Sequence, residues 1–123
     1  MTPSLRILHC LRAPIGGLFR HVHDLVKGQS ELGLEVGVIC DSETGGVPAG
    51  RALEQLADFC TLGVTRVPMT RQIRPSDFKS YRQVKRLAAR LEANVLHGHG
   101  AKGGAYARLA ARGLKRKKKS VGA

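Results

Sequence analysis

His97-Gly98-His99-Gly100-Ala101-Lys102-Gly103-Gly104 lies between an apolar run, Val95-Leu96, and a helix-forming run from Ala105 to Arg112. A strand that ends in glycines and feeds a helix leaves backbone N–H groups bare at the helix N-terminus, where they can hold an anion. Lys102 adds positive charge beside them. In a strand, His97 and His99 point to the same face, because side chains alternate with period two, so both can line one crevice. The alternative is a tight turn whose glycines serve packing alone and whose histidines are partly buried spectators.

Outward from that stretch, strand and helix patterns alternate. Leu5 to Cys10 reads as a first strand, broken by Ala13-Pro14-Ile15-Gly16-Gly17. From Leu18 the apolar residues Leu18, Val22, Leu25, Val26 and Leu32 recur at helical spacing, and Gly33 ends the helix. Glu35 to Cys40 is a second strand, followed by a polar loop from Asp41 to Gly50. Ala52 to Phe59 predicts a second helix, and Val64 to Val67 a third strand stopped by Pro68. Met69 to Pro75 is a loop, and Ser76 is placed to cap a third helix with Phe78, Tyr81, Val84, Leu87 and Leu91 facing inward. Asn94 to His97 makes the fourth strand, and Lys102 to Leu114 a fourth helix.

This alternation predicts an α/β fold, a Rossmann-like parallel sheet with helices on both faces. In the strand order 3-2-1-4 the first and fourth strands are neighbours, and ligands bind where the connection reverses. The loops flanking that point hold Gly16-Gly17 and His97 to Gly104, so two glycine signals converge on one crevice. A GxGxxG fingerprint is absent after the first strand, which argues against a dinucleotide dehydrogenase.

With 123 residues the chain is one domain. Of its +12 formal charge, five come from Lys115, Arg116, Lys117, Lys118 and Lys119, leaving +7 for the remainder, which still suits anionic partners. Aromatic residues make up 4%, too few stacking platforms for a dedicated nucleic-acid binder. Cys10, Cys40 and Cys60 have no CxxC spacing, so neither a disulfide framework nor a zinc site is indicated, and a reducing cytoplasm is the simplest setting. No run approaches the ~20 apolar residues of a membrane span, and the first residues lack a signal-peptide pattern.

The four segments Leu5-Arg6-Ile7-Leu8-His9, Gly16-Gly17-Leu18-Phe19-Arg20-His21-Val22, Leu32-Gly33-Leu34-Glu35-Val36 and His97 to Gly104 resemble, in that order, the N-terminal half of the glycosyltransferase family 4 enzymes. The resemblance implies half of a GT-B fold, in which two Rossmann-like domains face each other across a cleft. It also implies transfer of a sugar from a nucleotide-sugar donor to an acceptor, with retention of configuration, no required metal and no cofactor. By the same resemblance Gly16, Gly17, Lys102 and Gly103 lie near the donor diphosphate, His99 is the catalytic residue nearest the donor sugar, and His97 is its structural partner. Arg71 and Arg74 fall on the acceptor side. The acceptor is then a sugar, a cell-envelope glycan or a lipid-linked one. The family's C-terminal domain has no counterpart here.

The expected organisation is therefore an incomplete Rossmann-like domain over residues 1–114 and a basic disordered tail over 115–123, inactive alone, with the fourth strand left as an open edge. Lys79, Arg82, Arg86 and Arg90 fall on one face of the third helix and form a stripe suited to an anionic membrane, which places the protein in the cytoplasm at the inner membrane face. Two rival readings compete. One is a metal-dependent hydrolase built on His97 and His99, with Asp41, Asp58 or Asp77 as a third ligand. The other is a basic module for membrane surfaces or nucleic acid.

Overall fold

The computed structural model describes residues 5–69, 77–113 and 119–122. In chain order these form β1 (Arg6–Cys10), α1 (Gly16–Glu31), β2 (Glu35–Asp41), α2 (Gly46–Ala57), β3 (Gly63–Val67), α3 (Asp77–Arg90), β4 (Val95–Gly98), α4 (Gly100–Gly113) and β5 (Lys119–Gly122). The strands make one sheet in the order β3-β2-β1-β4-β5, parallel throughout. Helices cover both faces, as the alternation predicts.

Side-chain alternation sets the layers. Along β2, Val36, Val38 and Cys40 face one way and join Phe19, Val22 and Val26 of α1 and Leu53 and Leu56 of α2. Ile39 faces the other way, joining Leu8, Cys10 and Leu96 against Val84, Leu87 and Ala88 of α3 and Tyr106, Ala107 and Ala110 of α4. Each aliphatic side chain taken fully inside contributes about 1.5–3 kcal/mol. Asn94 ties the N-terminal ends of β1 and β4 together: its Oδ1 accepts from Arg6 N at 2.9 Å and its own N–H donates to Arg6 O at 2.8 Å.

Gly33 follows α1 with φ +85°, a left-handed turn that glycine enters without a Cβ penalty, and ends the helix as expected. Other details differ from the sequence reading. Helix α1 begins at Gly16, which puts Phe19 rather than Leu18 on the buried stripe with Val22 and Val26; Leu18 and Leu32 are exposed. Helix α2 begins at Gly46, inside the segment read as loop. Phe78 is 64% exposed, with the Arg82 guanidinium 5.2 Å from its ring centroid. Ser76, the expected cap of α3, is outside the described residues.

The largest correction concerns the basic tail and the open edge. Lys119–Gly122 is a strand, paired with β4 in the register Val95↔Lys119 to Gly98↔Gly122, so β4 is an interior strand of the sheet. Strand pairing is made by backbone groups. Four residues after a lysine run, with Val121 their one aliphatic, carry almost no side-chain signal for it.

Candidate functional site

Strands β1 and β4 are in register at His9↔His97, which stands the two imidazoles side by side. His99 N donates to Cys10 O at 2.8 Å, extending the ladder one step past β4 and holding His99 where the strand gives way to α4. The ring centroids of His97 and His99 are 4.0 Å apart, so the two do share a face, and those of His9 and His99 are 5.1 Å apart. His21, on the exposed side of α1, meets His99 edge-on at 6.1 Å.

A hydrogen-bonded chain runs through the cluster. His9 Nε2 lies 2.8 Å from Gln29 Oε1, on α1; an amide oxygen only accepts, so with the amide in this orientation the ring nitrogen carries the proton. His9 Nδ1 is then a lone pair and accepts from His99 Nε2–H at 2.9 Å. That leaves His99 Nδ1 unprotonated, and it is buried without a hydrogen-bond partner.

Burial lowers the affinity of these rings for protons. His9 falls from 6.5 to about 4, through burial first, opposed by the Gln29 hydrogen bond and reinforced by His97 and His21. His99 falls to about 3, through burial and then through His97, His9 and His21. His97 is lowered too, by burial and then by His21. At neutral pH all three are uncharged, so they are acceptors and donors of hydrogen bonds rather than an anion-binding charge.

One nitrogen from each of His9, His97 and His99 lies within 4.8 Å of the others, a set that can take a metal ion. Of the carboxylates of the hydrolase reading, Asp41 and Asp58 do not join the set. Asp41 instead accepts from Met69 N at 2.8 Å and from the Thr44 hydroxyl, Asp58 is not in the cluster, and the Asp77 side chain lies outside the described residues.

The loops flanking the β1/β4 boundary line two cavities. His99, Lys102 and Gly103 line a cavity of about 470 Å³ together with Arg12 and Leu18. Gly16 and Gly17 line another, of about 740 Å³, between the N-terminal ends of α1 and α2, with Arg20 and His23. Leu18 borders the His99 cavity, its Cδ2 3.2 Å from where a Cβ on Gly100 would sit. Gly103 serves packing in addition, because a Cβ there would run into the Cys10 carbonyl and come within 2.9 Å of Leu11 Cα. Lys102 Nζ lies 5.9 Å from the Tyr106 ring centroid.

Of the outlying candidates, Lys79, Arg82, Arg86 and Arg90 are all exposed on α3. Arg86 and Arg90 also border a cavity of about 350 Å³ with Arg66 of β3. Arg71 and Arg74 lie outside the described residues. No helix of the described residues is long and apolar enough to cross a membrane.

The profile of Glycosyltransferase Family 4 matches residues 15–122, nearly the whole chain and including β5. The chain belongs to glycosyltransferase family 4. No curated protein matches it at the level of the whole sequence. Among solved structures, this family 4 chain resembles MurG from Acinetobacter baumannii, with a TM-score of 0.72 at 15% identity over 97% of this chain and 34% of that one. A glycosyltransferase from Rickettsia africae gives 0.72 at 16% identity, over 98% and 30%. The C-terminal domain of a hydrogenase from Pyrococcus furiosus gives 0.64 at 15% identity, over 100% and 96%. At these identities the likeness is one of fold, and the family 4 chain spans about a third of the length of the two glycosyltransferases.

His9, Gln29 and Arg12 are the site residues that the sequence reading passed over. His9 and His99 are 90 positions apart, and His9 and Gln29 are 20 apart. One signal was there to be used: given the strand order, a histidine near the end of the first strand must neighbour one near the end of the fourth.

Proposed function

We propose that this chain is the N-terminal, acceptor-side unit of a retaining glycosyltransferase that moves a sugar from a nucleotide-sugar donor to a glycan or lipid-linked acceptor. The observation that carries the reading is His99 Nδ1, a buried nitrogen with a bare lone pair on a residue lining the cavity between the β1–α1 and β4–α4 loops. A sugar hydroxyl donating to it would satisfy the atom, and a well-made hydrogen bond there contributes about 0.5–1.5 kcal/mol.

The diphosphate belongs beside it, at the starts of α1 and α4. Neither helix has an acidic residue in its first turn, and the N-cap of α1 makes no side-chain hydrogen bond, so the N–H groups near Gly16, Gly17, Lys102 and Gly103 suit an anion. Arg12 borders the same cavity as Lys102. His99 is the residue of this chain nearest the reacting sugar in this reading. The nucleotide sugar is a substrate, and the reaction uses no cofactor and no metal. Arg71 and Arg74 take the acceptor side, and the exposed stripe of α3 rests on an anionic membrane at its cytoplasmic face. Transfer needs a facing domain to enclose and orient the donor, and residues 1–123 taken by themselves bind donor without turnover.

Calorimetric titration with uridine and guanosine diphosphate sugars, the free nucleoside diphosphates and the free sugars tests this. Saturable binding that depends on the diphosphate, with no sugar release, is expected. Absence of binding by every nucleotide up to millimolar concentration contradicts the reading.

A further inference from the structure

Resting on that reading, we infer that Gln29 and His9 are positioning residues that hold His99 in a single tautomer, making its Nδ1 a fixed acceptor that selects hydroxyl-bearing ligands over anionic oxygens. The geometry is Gln29 Oε1 to His9 Nε2 at 2.8 Å and His9 Nδ1 to His99 Nε2 at 2.9 Å, with Nδ1 of His99 at the far end. An isolated neutral imidazole exchanges its proton between two nitrogens that differ little in energy. Here the choice is made two hydrogen bonds away. Gln29 presents an oxygen, the oxygen demands a proton on His9 Nε2, and His9 Nδ1 then demands one on His99 Nε2.

The reverse chain is disfavoured at its His99 end. With the amide turned, Gln29 would donate to His9, His9 to His99, and His99 would hold its proton on Nδ1, where no acceptor meets it. A buried donor left unpaired has given up its hydration with nothing in return. The observed chain instead leaves an unpaired acceptor, which a ligand hydroxyl can satisfy. Both rings are buried, His9 at 0% exposure and His99 at 1%, so bulk water does not supply the partner that His99 Nδ1 lacks.

The functional consequence is discrimination. A phosphate or carboxylate oxygen brought to Nδ1 meets lone pair against lone pair, whereas a hydroxyl donates to it and accepts elsewhere. The diphosphate of a donor is therefore steered to the helix starts and a sugar hydroxyl to His99. Gln29 touches neither group. It acts through two rings.

The tautomers are read directly from imidazole nitrogen chemical shifts in the 15N-labelled, ligand-free chain at pH 7. The expected pattern is His99 protonated on Nε2 with Nδ1 in the unprotonated range, and the same tautomer in His9. In Gln29→Leu the acceptor is gone, and His99 should become a mixture of both tautomers in a chain whose amide spectrum is otherwise retained. Gln29→Glu, which keeps an oxygen, should restore the single tautomer and raise the His9 pKa. His99 protonated on Nδ1 in the wild-type chain overturns the inference, as does a single Nε2 tautomer persisting in folded Gln29→Leu. Because no ligand is present, these outcomes are independent of whether a nucleotide sugar binds.

Discussion

His9 Nδ1 and His99 Nε2 meet at 2.9 Å inside the protein, joining two residues 90 positions apart across the β1/β4 boundary. The pair is uncharged at neutral pH, and its environment resists a second proton on either ring. Stability must therefore depend on pH. In the unfolded chain each histidine takes up a proton near 6.5, while in the folded chain His9 waits until about 4 and His99 until about 3. Between those limits the unfolded state binds more protons, so stability falls as pH falls. Above 6.5 the effect vanishes. Each group costs about 1.4 kcal/mol per pH unit within the window, or about 3 kcal/mol for His9 by pH 4. Urea midpoints from pH 8 to pH 4 should drop accordingly and drop less in His9→Gln; equal slopes for the two proteins contradict the assignment.

Gly103 and Gly17 should respond oppositely to alanine. A Cβ on Gly103 meets the Cys10 carbonyl and the Leu11 Cα, all of it backbone that cannot swing aside, whereas a Cβ on Gly17 meets nothing within 4 Å. Gly103→Ala is expected to lose about 1–3 kcal/mol by overpacking. Gly17→Ala should hold or gain up to about 1 kcal/mol, since alanine suits a helix better than glycine, while weakening nucleotide-sugar binding through lost backbone approach. Chemical denaturation and calorimetry of both variants check this. A destabilised Gly17→Ala with unchanged binding would reverse the roles given to the two glycines.

The stripe of α3 predicts a preference for acidic vesicles. Lys79, Arg82, Arg86 and Arg90 are exposed, and Phe78 beside Arg82 is 64% exposed, which offers an apolar group at the same surface. Each basic residue near an anionic bilayer contributes about 1 kcal/mol. Co-sedimentation with phosphatidylglycerol-containing vesicles should exceed that with phosphatidylcholine, fall with salt, and fall again in Arg82→Glu/Arg86→Glu. Equal sedimentation with both lipids removes the membrane assignment.

Much of the fold was legible because burial on both faces of a parallel sheet writes itself as aliphatic runs, as in Val36 to Cys40, and because Gly33 and Pro68 punctuate them. Strand β5 was not, since its pairing rests on backbone groups and its residues carry no such run. Phe78 reads as core by spacing yet is exposed at the start of α3, where its ring meets Tyr81 edge-on and carries the Arg82 guanidinium over its face. At the site, period two correctly put His97 and His99 on one face. The partners His9 and Gln29 were hidden because they become neighbours only through the sheet order and the docking of α1. The two glycine loops were read as one crevice; in the structure they line two cavities, Gly16 and Gly17 one and Lys102 and Gly103 the other, with the exposed Leu18 bordering the second.

The most direct measurement is the nitrogen shift of His99 Nδ1 during titration of the labelled chain with a nucleotide sugar and, separately, with the matching nucleoside diphosphate. If a sugar hydroxyl donates to that atom, the Nδ1 resonance moves toward the hydrogen-bonded range with the sugar-bearing ligand alone, while the amides of Gly16, Gly17, Lys102 and Gly103 shift with both ligands. Binding that leaves Nδ1 unmoved, or moves it equally with the sugar-free nucleotide, contradicts the assignment of His99 to the donor sugar.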